Sequence, residues 1–576
     1  MSNQLKLSIG QYSDKGRKAL NQDFHGALIP KEPQLSLKGA ALAVADGISS
    51  SSVSQIASAA AVKSFLDDYF CTSEAWTVRT AAERVIAATN SWLHSQTRRS
   101  DYCYDKDRGY VCTLSAMVIK AATAHIFHVG DSRIYRVHEH ALEQLTKDHR
   151  LWVSRQESYL SRALGIDEQL EIDYQALAVK PGDTFILATD GIYEHCDTQF
   201  LLNTLREHPT SLDNAARQIA EHALERGSSD NLTLQIVRVD QVPGAEHAEL
   251  QLQIEKLPLP PPLEPRMQFD GYEIVRELHA TSRSHVFLAV DLESGNPAAL
   301  KTPAIDLSDD PDYLERFLLE EWIARRINSA HVLKAQSPNR SRHYLYTAME
   351  YIEGQTLRQW LLDNPRPDIE TVRSIVEQIA RGLRAFHRME MLHQDLRPDN
   401  IMIDRHGTVK IIDFGATRVA GIAEATVVSQ QAQMLGTALF TAPEYFLGFP
   451  GSTRSDQFSL GVICYQMLSG RFPYGTEVAK CRNAKAQQKL SYDSVLDEER
   501  EIPAWVDEAL KRATHISPEK RYDDLSEFIY DLRHPNRAFL NKTRPPLIER
   551  NPVQFWQGVS ALLACALIYL LANPLM

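Results

Sequence analysis

Paired cysteines are the clearest absence in this sequence. Its seven cysteines (Cys71, Cys103, Cys112, Cys196, Cys464, Cys481 and Cys565) are scattered, odd in number and free of any C-x-x-C spacing. Disulfide scaffolds and zinc ribbons need clustered, regularly spaced cysteines, so reduced thiols and a cytoplasmic setting are expected. An excess of positive charge is also missing: 62 Lys+Arg stand against 74 Asp+Glu, a net charge of −12. General nucleic-acid binders neutralise phosphates with Lys and Arg, so none is expected here. The N-terminus, MSNQLKLSIG, lacks the apolar stretch of a secretory signal. A composition of 44% hydrophobic and 24% charged residues is that of globular protein. It excludes a disordered chain, a collagen-like fibre and a multi-span membrane protein. The 576 residues suffice for several ordinary domains or two large ones.

Two stretches interrupt this ordinary pattern. Leu257–Pro265 reads LPLPPPLEP. Consecutive prolines favour an extended chain and cannot continue a helix or a central strand. A linker over 241–268 is therefore expected, dividing the chain into halves of similar size. A Pro/Arg-rich spacer over 535–554 precedes a final apolar run, FWQGVSALLACALIYLLANPLM. No charged residue follows Arg550. About 20 apolar residues span a bilayer, and positive flanks stay cytoplasmic. Residues 555–575 are thus expected to form a single transmembrane helix behind Lys542, Arg544 and Arg550, with the body of the chain in the cytoplasm at a bacterial inner membrane.

In the first half, several strand-like runs end at an aspartate: AALAVADG at Asp46, HIFHVGDSR at Asp131 and DTFILATDG at Asp190. KGRKALNQD ends at Asp23, and SSDNLTLQIV opens a strand after Asp230. Carboxylates at the rim of a sheet suit hard divalent cations, which take oxygen ligands and keep several waters. Singly, each Asp-Gly is a turn signal. In order, SDKGRKALNQD, VADGISSS, VGDSRIYRV, LTKDHR, SRALG, GDTFILATDGIYE and SSDNLTLQI resemble the motifs of the metal-dependent (Mg²⁺/Mn²⁺) Ser/Thr protein phosphatase family. The resemblance covers about residues 5–240 and implies an α-β-β-α sandwich domain over 1–240. It implies that Asp23, Asp46, the Gly47 carbonyl, Asp190 and Asp230 hold a binuclear centre and that Asp131 serves a third, weaker ion. Where the family has D-G-M-G-G, this chain has Asp46-Gly47-Ile48-Ser49-Ser50. Its usual phosphate-binding arginine is Lys18 here, with Arg17 beside it. His149 reads as a structural loop histidine rather than a catalytic group.

The second half holds the parts that transfer from ATP requires: a lysine for the phosphates, a carboxylate to orient it, metal ligands and a residue for the acceptor hydroxyl. In chain order these are Lys301 after PAALK, Glu320 on an amphipathic stretch over 313–327, Asp395 and Asn400 in LHQDLRPDN, and Asp413 after VKIID. With TAPE, SDQFSLG and SPEKRY following, the half resembles the eukaryotic-type (Hanks-type) Ser/Thr protein kinases, over about 270–533, and implies a bilobal kinase domain over 269–534. The resemblance implies a Lys301–Glu320 ion pair, Asp395 as catalytic base, Asn400 and Asp413 as metal ligands, and Arg397 near the transferred phosphate. Adenine would lie against Val286, Ala299, Glu350 and Ile352, and Glu444 and Arg521 would pair in the large lobe. Three departures matter. Arg397 replaces the catalytic-loop lysine and keeps a charge near the transferred phosphate. The glycine-rich loop is LHATSRSHVFLA, with His279, Thr281 and Ser284 at the glycine positions. Gln394 replaces the arginine that receives an activation-segment phosphate. Thr426, Ser429 and Thr437 are candidate autophosphorylation sites.

The expectation is a bifunctional enzyme using ATP with Mg²⁺ in one half and Mg²⁺ or Mn²⁺ in the other. Its partners would be protein substrates, including its own kinase domain, and a membrane. The glycine-free loop keeps a second reading open: a membrane-anchored phosphatase regulated by a nucleotide-binding pseudokinase.

Overall fold

The computed structural model describes residues 4–138, 141–152, 158–243, 257–281, 283–304, 310–336, 342–423, 439–481, 483–496, 501–536, 556–557, 559–560 and 562–563. The candidate phosphorylation sites, residues 244–256 of the linker and nearly all of the apolar tail lie outside the described residues. Among the described residues no helix is long and apolar enough to cross a membrane.

The first half contains two antiparallel sheets. One is ordered β1 (Lys6–Asp14), β12 (Leu232–Gln241), β11 (Thr184–Ala188), β6 (Arg133–Val137), β7 (Leu142–Gln144). The other is ordered β10 (Asp173–Ala178), β5 (Thr123–Val129), β4 (Leu114–Lys120), β3 (Ala40–Ala45), β2 (Phe24–Leu28). A small hairpin, β8 (Arg150–Trp152) with β9 (Ser158–Leu160), stands apart. Side chains alternate between the faces of a strand, and β3 shows the consequence. Leu42 and Val44 point to a core shared with Phe185, Leu187 and Val237 of the opposite sheet. Ala41, Ala43 and Ala45 face the outer helices. Those alanines let α2 (Ser54–Cys71), itself carrying Ala57 and Ala61, pack closely beside α3 (Val78–Arg99). A short α1 (Gln34–Lys38) precedes β3. On the other side, α4 (Asp190–Tyr193), α5 (Thr198–Glu207) and α6 (Leu212–Glu225) cover the first sheet. The result is the expected α-β-β-α sandwich.

The second half has two lobes. The small lobe is an antiparallel sheet, β13 (Gln268–Phe269) through β14 (Tyr272–Ala280), β15 (Ser284–Asp291), β16 (Pro297–Pro303) and β17 (Thr347–Glu350), with helix α7 (Pro311–Arg326). The proline-rich run is not a free linker: its N-terminal end is packed on the small lobe. Leu257 and Leu259 pack against Tyr313, Leu314 and Leu318, and Leu345 donates its amide to the Pro258 carbonyl at 2.9 Å. Proline carbonyls remain good acceptors although the ring removes the donor, so the run can serve as an edge.

The large lobe is mainly helical. It contains α8 (Leu357–Asp363), α9 (Ile369–Arg388), α10 (Ala420–Ala423), α11 (Thr453–Ser469), α12 (Ala484–Gln487), α13 (Ala504–Ala513) and α14 (Leu525–Arg533). Helix α9 buries Val372, Ile375, Val376, Ile379, Leu383 and Phe386, the spacing of one helical face. Helix α11 is buried almost all round and forms the lobe's axis. Short strands β18 (Gly354–Thr356), β20 (Ile401–Asp404) and β21 (Val409–Ile411) form one ribbon; β19 (Met391–Leu392) pairs with β22 (Arg418–Val419).

Candidate active sites

The first site lies where strands of both sheets end. Asp46 follows β3, Asp131 lies between β5 and β6, Asp190 opens α4 after β11, and Asp230 precedes β12. Asp23 is buried; one of its oxygens accepts from Thr189 Oγ1 at 2.9 Å. Its Oδ1, like Asp190 Oδ1, is buried without a partner. Burial lifts the Asp23 carboxyl to about 6. Burial, then repulsion from Asp131 and Asp230, lifts Asp190 to about 7. Asp46 is raised well above the carboxylate range by burial and by Asp23, Asp190, Asp131 and Asp230. Carboxylates crowded in this way favour a cation among them, and Lys18 and Arg150 already pair with three of the five. Among the described residues, no three acidic, His or Cys side chains close into a ready ligand group. Carboxylates spaced more widely than that suit ions that retain water in their shells. The all-oxygen donor set and the two orphaned oxygens fit hard divalent ions. Gly47 is required for its space: a Cβ there would lie 2.8 Å from the Gln22 carbonyl and from Ser54.

The basic groups differ in what they do. Lys18 pairs with Asp230 and reaches Ser49 Oγ at 2.6 Å, so it stands at the acidic cluster. Arg17 does not. It bonds the Leu224 carbonyl at 3.2 Å, near the negative end of α6, where a cation is favoured. Arg17 is thereby corrected from a phosphate-site candidate to a helix-end contact. Arg150 was not anticipated. From β8 it pairs with Asp131, with Asp190 at 2.9 Å and with Glu194 at 2.9 Å. Its position directly after His149 in LTKDHR was the available signal. His149 itself is buried, accepting from the Gly130 amide at 3.1 Å and meeting Asp173 at 3.0 Å. It braces the turn that carries Asp131.

In the second half, Lys301 on β16 stands 2.5 Å from Glu320 on α7 and 3.8 Å from Asp413. Burial works against the ammonium, but the two carboxylates outweigh it and raise its pKa, so it stays charged. Burial also works against Asp413, yet Lys301 and the Gly415 amide hold its carboxyl low. Asp395 is lifted to about 6 by burial. Asn400 Nδ2 fixes it, donating to its carbonyl at 2.9 Å and to its carboxylate at 3.2 Å. Arg397 pairs with Asp399 at 2.8 Å, and its charge is shared with that carboxylate. Val286, Ala299, Met349 and Ile352 join the apolar cluster that forms the large-lobe core. The Glu350 carboxylate is committed elsewhere, to Lys410 at 2.6 Å and the Lys334 amide at 2.9 Å.

The loop without glycines has closed on itself. Strands β14 and β15 pair out to Ala280 and His285. Thr281 Oγ1 then accepts from the amides of Arg283 at 3.2 Å and Ser284 at 3.0 Å. A side-chain hydroxyl thus takes up backbone donors that an open loop would offer to phosphate. In the large lobe, buried Arg521 makes a two-pronged bond to Glu444 at 2.8 and 2.7 Å, as expected. Asp456 accepts from the amides of His393 and Gln394, each at 3.0 Å, and meets His387 at 2.9 Å. It anchors the loop that carries Asp395.

Comparison with known proteins follows this division. Residues 272–529 match the Protein kinase domain family and residues 11–235 match Protein phosphatase 2C. The serine/threonine-protein kinase PknL of Mycobacterium tuberculosis is 31% identical over 276 residues, 47% of this chain and 67% of that protein. PrkC of Bacillus subtilis is 26% identical over 262 residues, 46% of this chain and 40% of that protein. Among solved structures, the M. tuberculosis serine/threonine phosphatase PstP/Ppp covers 41% of this chain and 99% of its own, at 22% identity and a TM-score of 0.35. A structure of the PstP catalytic domain with 2 manganese ions aligns at 23% identity and a TM-score of 0.33, covering 41% of this chain and 99% of its own. The chain belongs to the serine/threonine protein kinases through its second half and carries a protein phosphatase 2C domain in its first, which makes it a bifunctional kinase and phosphatase.

Proposed function

We propose that the second half transfers phosphate from ATP to Ser and Thr hydroxyls of proteins, and that the first half removes it. The observation that carries the kinase reading is the assembled set of Lys301, Glu320 and Asp413, with Asp395 fixed by Asn400. Lys301, kept in place by Glu320, steadies the ATP phosphates; Asp395 orients the acceptor hydroxyl and receives its proton. Asn400 and Asp413 would hold Mg²⁺, and the apolar cluster with Val286, Ala299 and Ile352 would receive adenine.

In the phosphatase half, Asp23, Asp46, the Gly47 carbonyl, Asp190 and Asp230 would hold Mg²⁺ or Mn²⁺. Such ions supply a nucleophile at neutral pH and neutralise the phosphoryl group. Lys18 orients the substrate phosphate as a point charge, without the two-pronged grip of arginine. A third ion at Asp131 would have to displace Arg150. The kinase domain of the same chain is a natural substrate, because a short linker keeps it at high effective concentration. The apolar tail over 555–575 would anchor both activities to a membrane; removing the residues after 550 should move the chain from the membrane fraction to the soluble one.

The test of the kinase is labelling from ATP in the Asp190→Asn chain, with and without Lys301→Met. Label lost with Lys301 supports the reading. One specific feature favours the pseudokinase alternative: the amides of Arg283 and Ser284 are capped by Thr281. ATP binding without any Lys301-dependent label would select it.

A further inference from the structure

The turn between α2 and α3 of the phosphatase half reaches into the kinase half, at the two elements on which transfer depends. Glu74 pairs with Arg326 at 2.5 Å, in the last turn of the helix that carries Glu320. The Ala75 carbonyl accepts from the Gly421 amide at 2.9 Å, in the segment that follows Asp413. Lys120 of β4, 2% exposed, donates its ammonium to the Gly421 carbonyl at 2.5 Å. Ala75 is fully buried and belongs to the kinase core cluster.

Helix ends explain why this contact is specific. The first amides of a helix and its last carbonyls have no partner inside the helix. Here each half supplies the other's. Glu390, just past α9, accepts from the Thr77 amide at 2.7 Å and from Thr80 Oγ1 at 2.6 Å at the start of α3. Its negative charge also suits that end of the helix. Trp76 donates its indole N–H to the Arg388 carbonyl at the end of α9, at 2.9 Å. Gly421 leaves no room for any other residue: a Cβ would lie 2.6 Å from the carbonyls of both Glu74 and Trp76.

We infer that the Ser73–Thr77 turn of the phosphatase is a docking element that holds the kinase in its transfer-ready arrangement. The kinase has no arginine directly before Asp395. Gln394 stands where a cation would receive a phosphorylated segment, and its neutral side chain meets the Pro450 carbonyl at 3.5 Å and the Tyr445 hydroxyl. The phosphatase turn supplies the missing anchor from outside. It fixes the segment at Gly421 and α7 at Arg326, while Glu320 on the same helix reaches Lys301. The partner surface is thus the kinase half of this same chain, read by one acid–base pair and two exchanged helix caps.

The inference rests on the kinase being active, and the experiment separates the two. In the full Asp190→Asn chain, Glu74→Arg, Arg326→Glu and their combination are compared for Lys301-dependent labelling and for hydrogen exchange over α7 and 415–423. Each single reversal should lower labelling about tenfold, within the usual range of coupling between sites. It should also speed exchange in both segments, and the combined reversal should restore both. Gly421→Val, which has no space to dock, should behave like the single reversals. Labelling that stays at the parent level in the single reversals and in Gly421→Val overturns the inference. So does a combined reversal no better than either single one. If the parent shows no label, the active-kinase reading falls. Docking is then judged on exchange alone: unchanged protection of α7 in the reversals and in Gly421→Val rejects it.

Discussion

The Arg150 guanidinium lies 2.9 Å from the Asp190 carboxylate and also pairs with Asp131. A side-chain cation therefore joins Asp190, a ligand expected of the binuclear centre, to Asp131, the ligand expected of a third, weaker ion. Arg150→Gln should add a weak Mn²⁺ equivalent in equilibrium dialysis, because buried Asp131 and half-buried Asp190 lose their counter-charge. Unchanged stoichiometry and affinity would mean that Arg150 does not occupy an ion's place.

Lys18 and Arg17 are neighbours in sequence with different surroundings. Lys18→Ala should lower kcat/KM for a phosphopeptide by about 10- to 100-fold, the effect of removing one positioned charge from a phosphoryl site. Arg17→Ala should change it by less than about twofold, as expected for a contact outside the site. Equal losses would place both at the substrate.

The capped nucleotide loop should weaken ATP binding. Thr281→Gly removes the hydroxyl that occupies the Arg283 and Ser284 amides. The KM for ATP should fall by about tenfold, the worth of one hydrogen bond to a charged group at about 1.5 kcal/mol. Titration of the labelling rate against ATP measures this directly; a raised KM would show that the hydroxyl helps the phosphates instead.

Asp456 should make the kinase half sensitive to acid. Burial works against its charge, but His387 and the backbone amides hold its carboxyl below the ordinary 3.8. A folded pKa below the unfolded one gives stability that is complete above the unfolded value and is lost as pH falls through the folded value. Asp456→Asn should destabilise the kinase half by about 3 kcal/mol at neutral pH, as when one partner of a buried pair is removed. The difference should shrink below pH 4 in urea unfolding followed in that half. A difference that is the same at both pH values would exclude this origin.

Much of both sites could be read from sequence because their residues are tied to local pattern. Asp46 and Asp190 end apolar strands, and Lys301, Asp395 and Asp413 stand at fixed distances from recognisable turns. What sequence hid was partnership across long separations. Nothing near Glu74 announces Arg326, and Glu390 looks like any polar residue after a helix, although it caps α3. Arg17 and Lys18 could not be told apart because the difference lies in α6, far along the chain. The proline run was legible as extended chain, but its packing on Tyr313 and Leu318 depends on apolar surface that α7 leaves uncovered.

The pairing of β1 with β12 joins the first strand of the phosphatase to its last. On the ribosome, that sheet cannot close until residue 241 has emerged, which makes its assembly wait on a distant segment. It can nevertheless close before the kinase sheet, whose last strand β17 ends at Glu350, has been made, since domains fold in order of synthesis. Each newly made molecule would then pass through an interval in which it can remove phosphate but cannot yet add it.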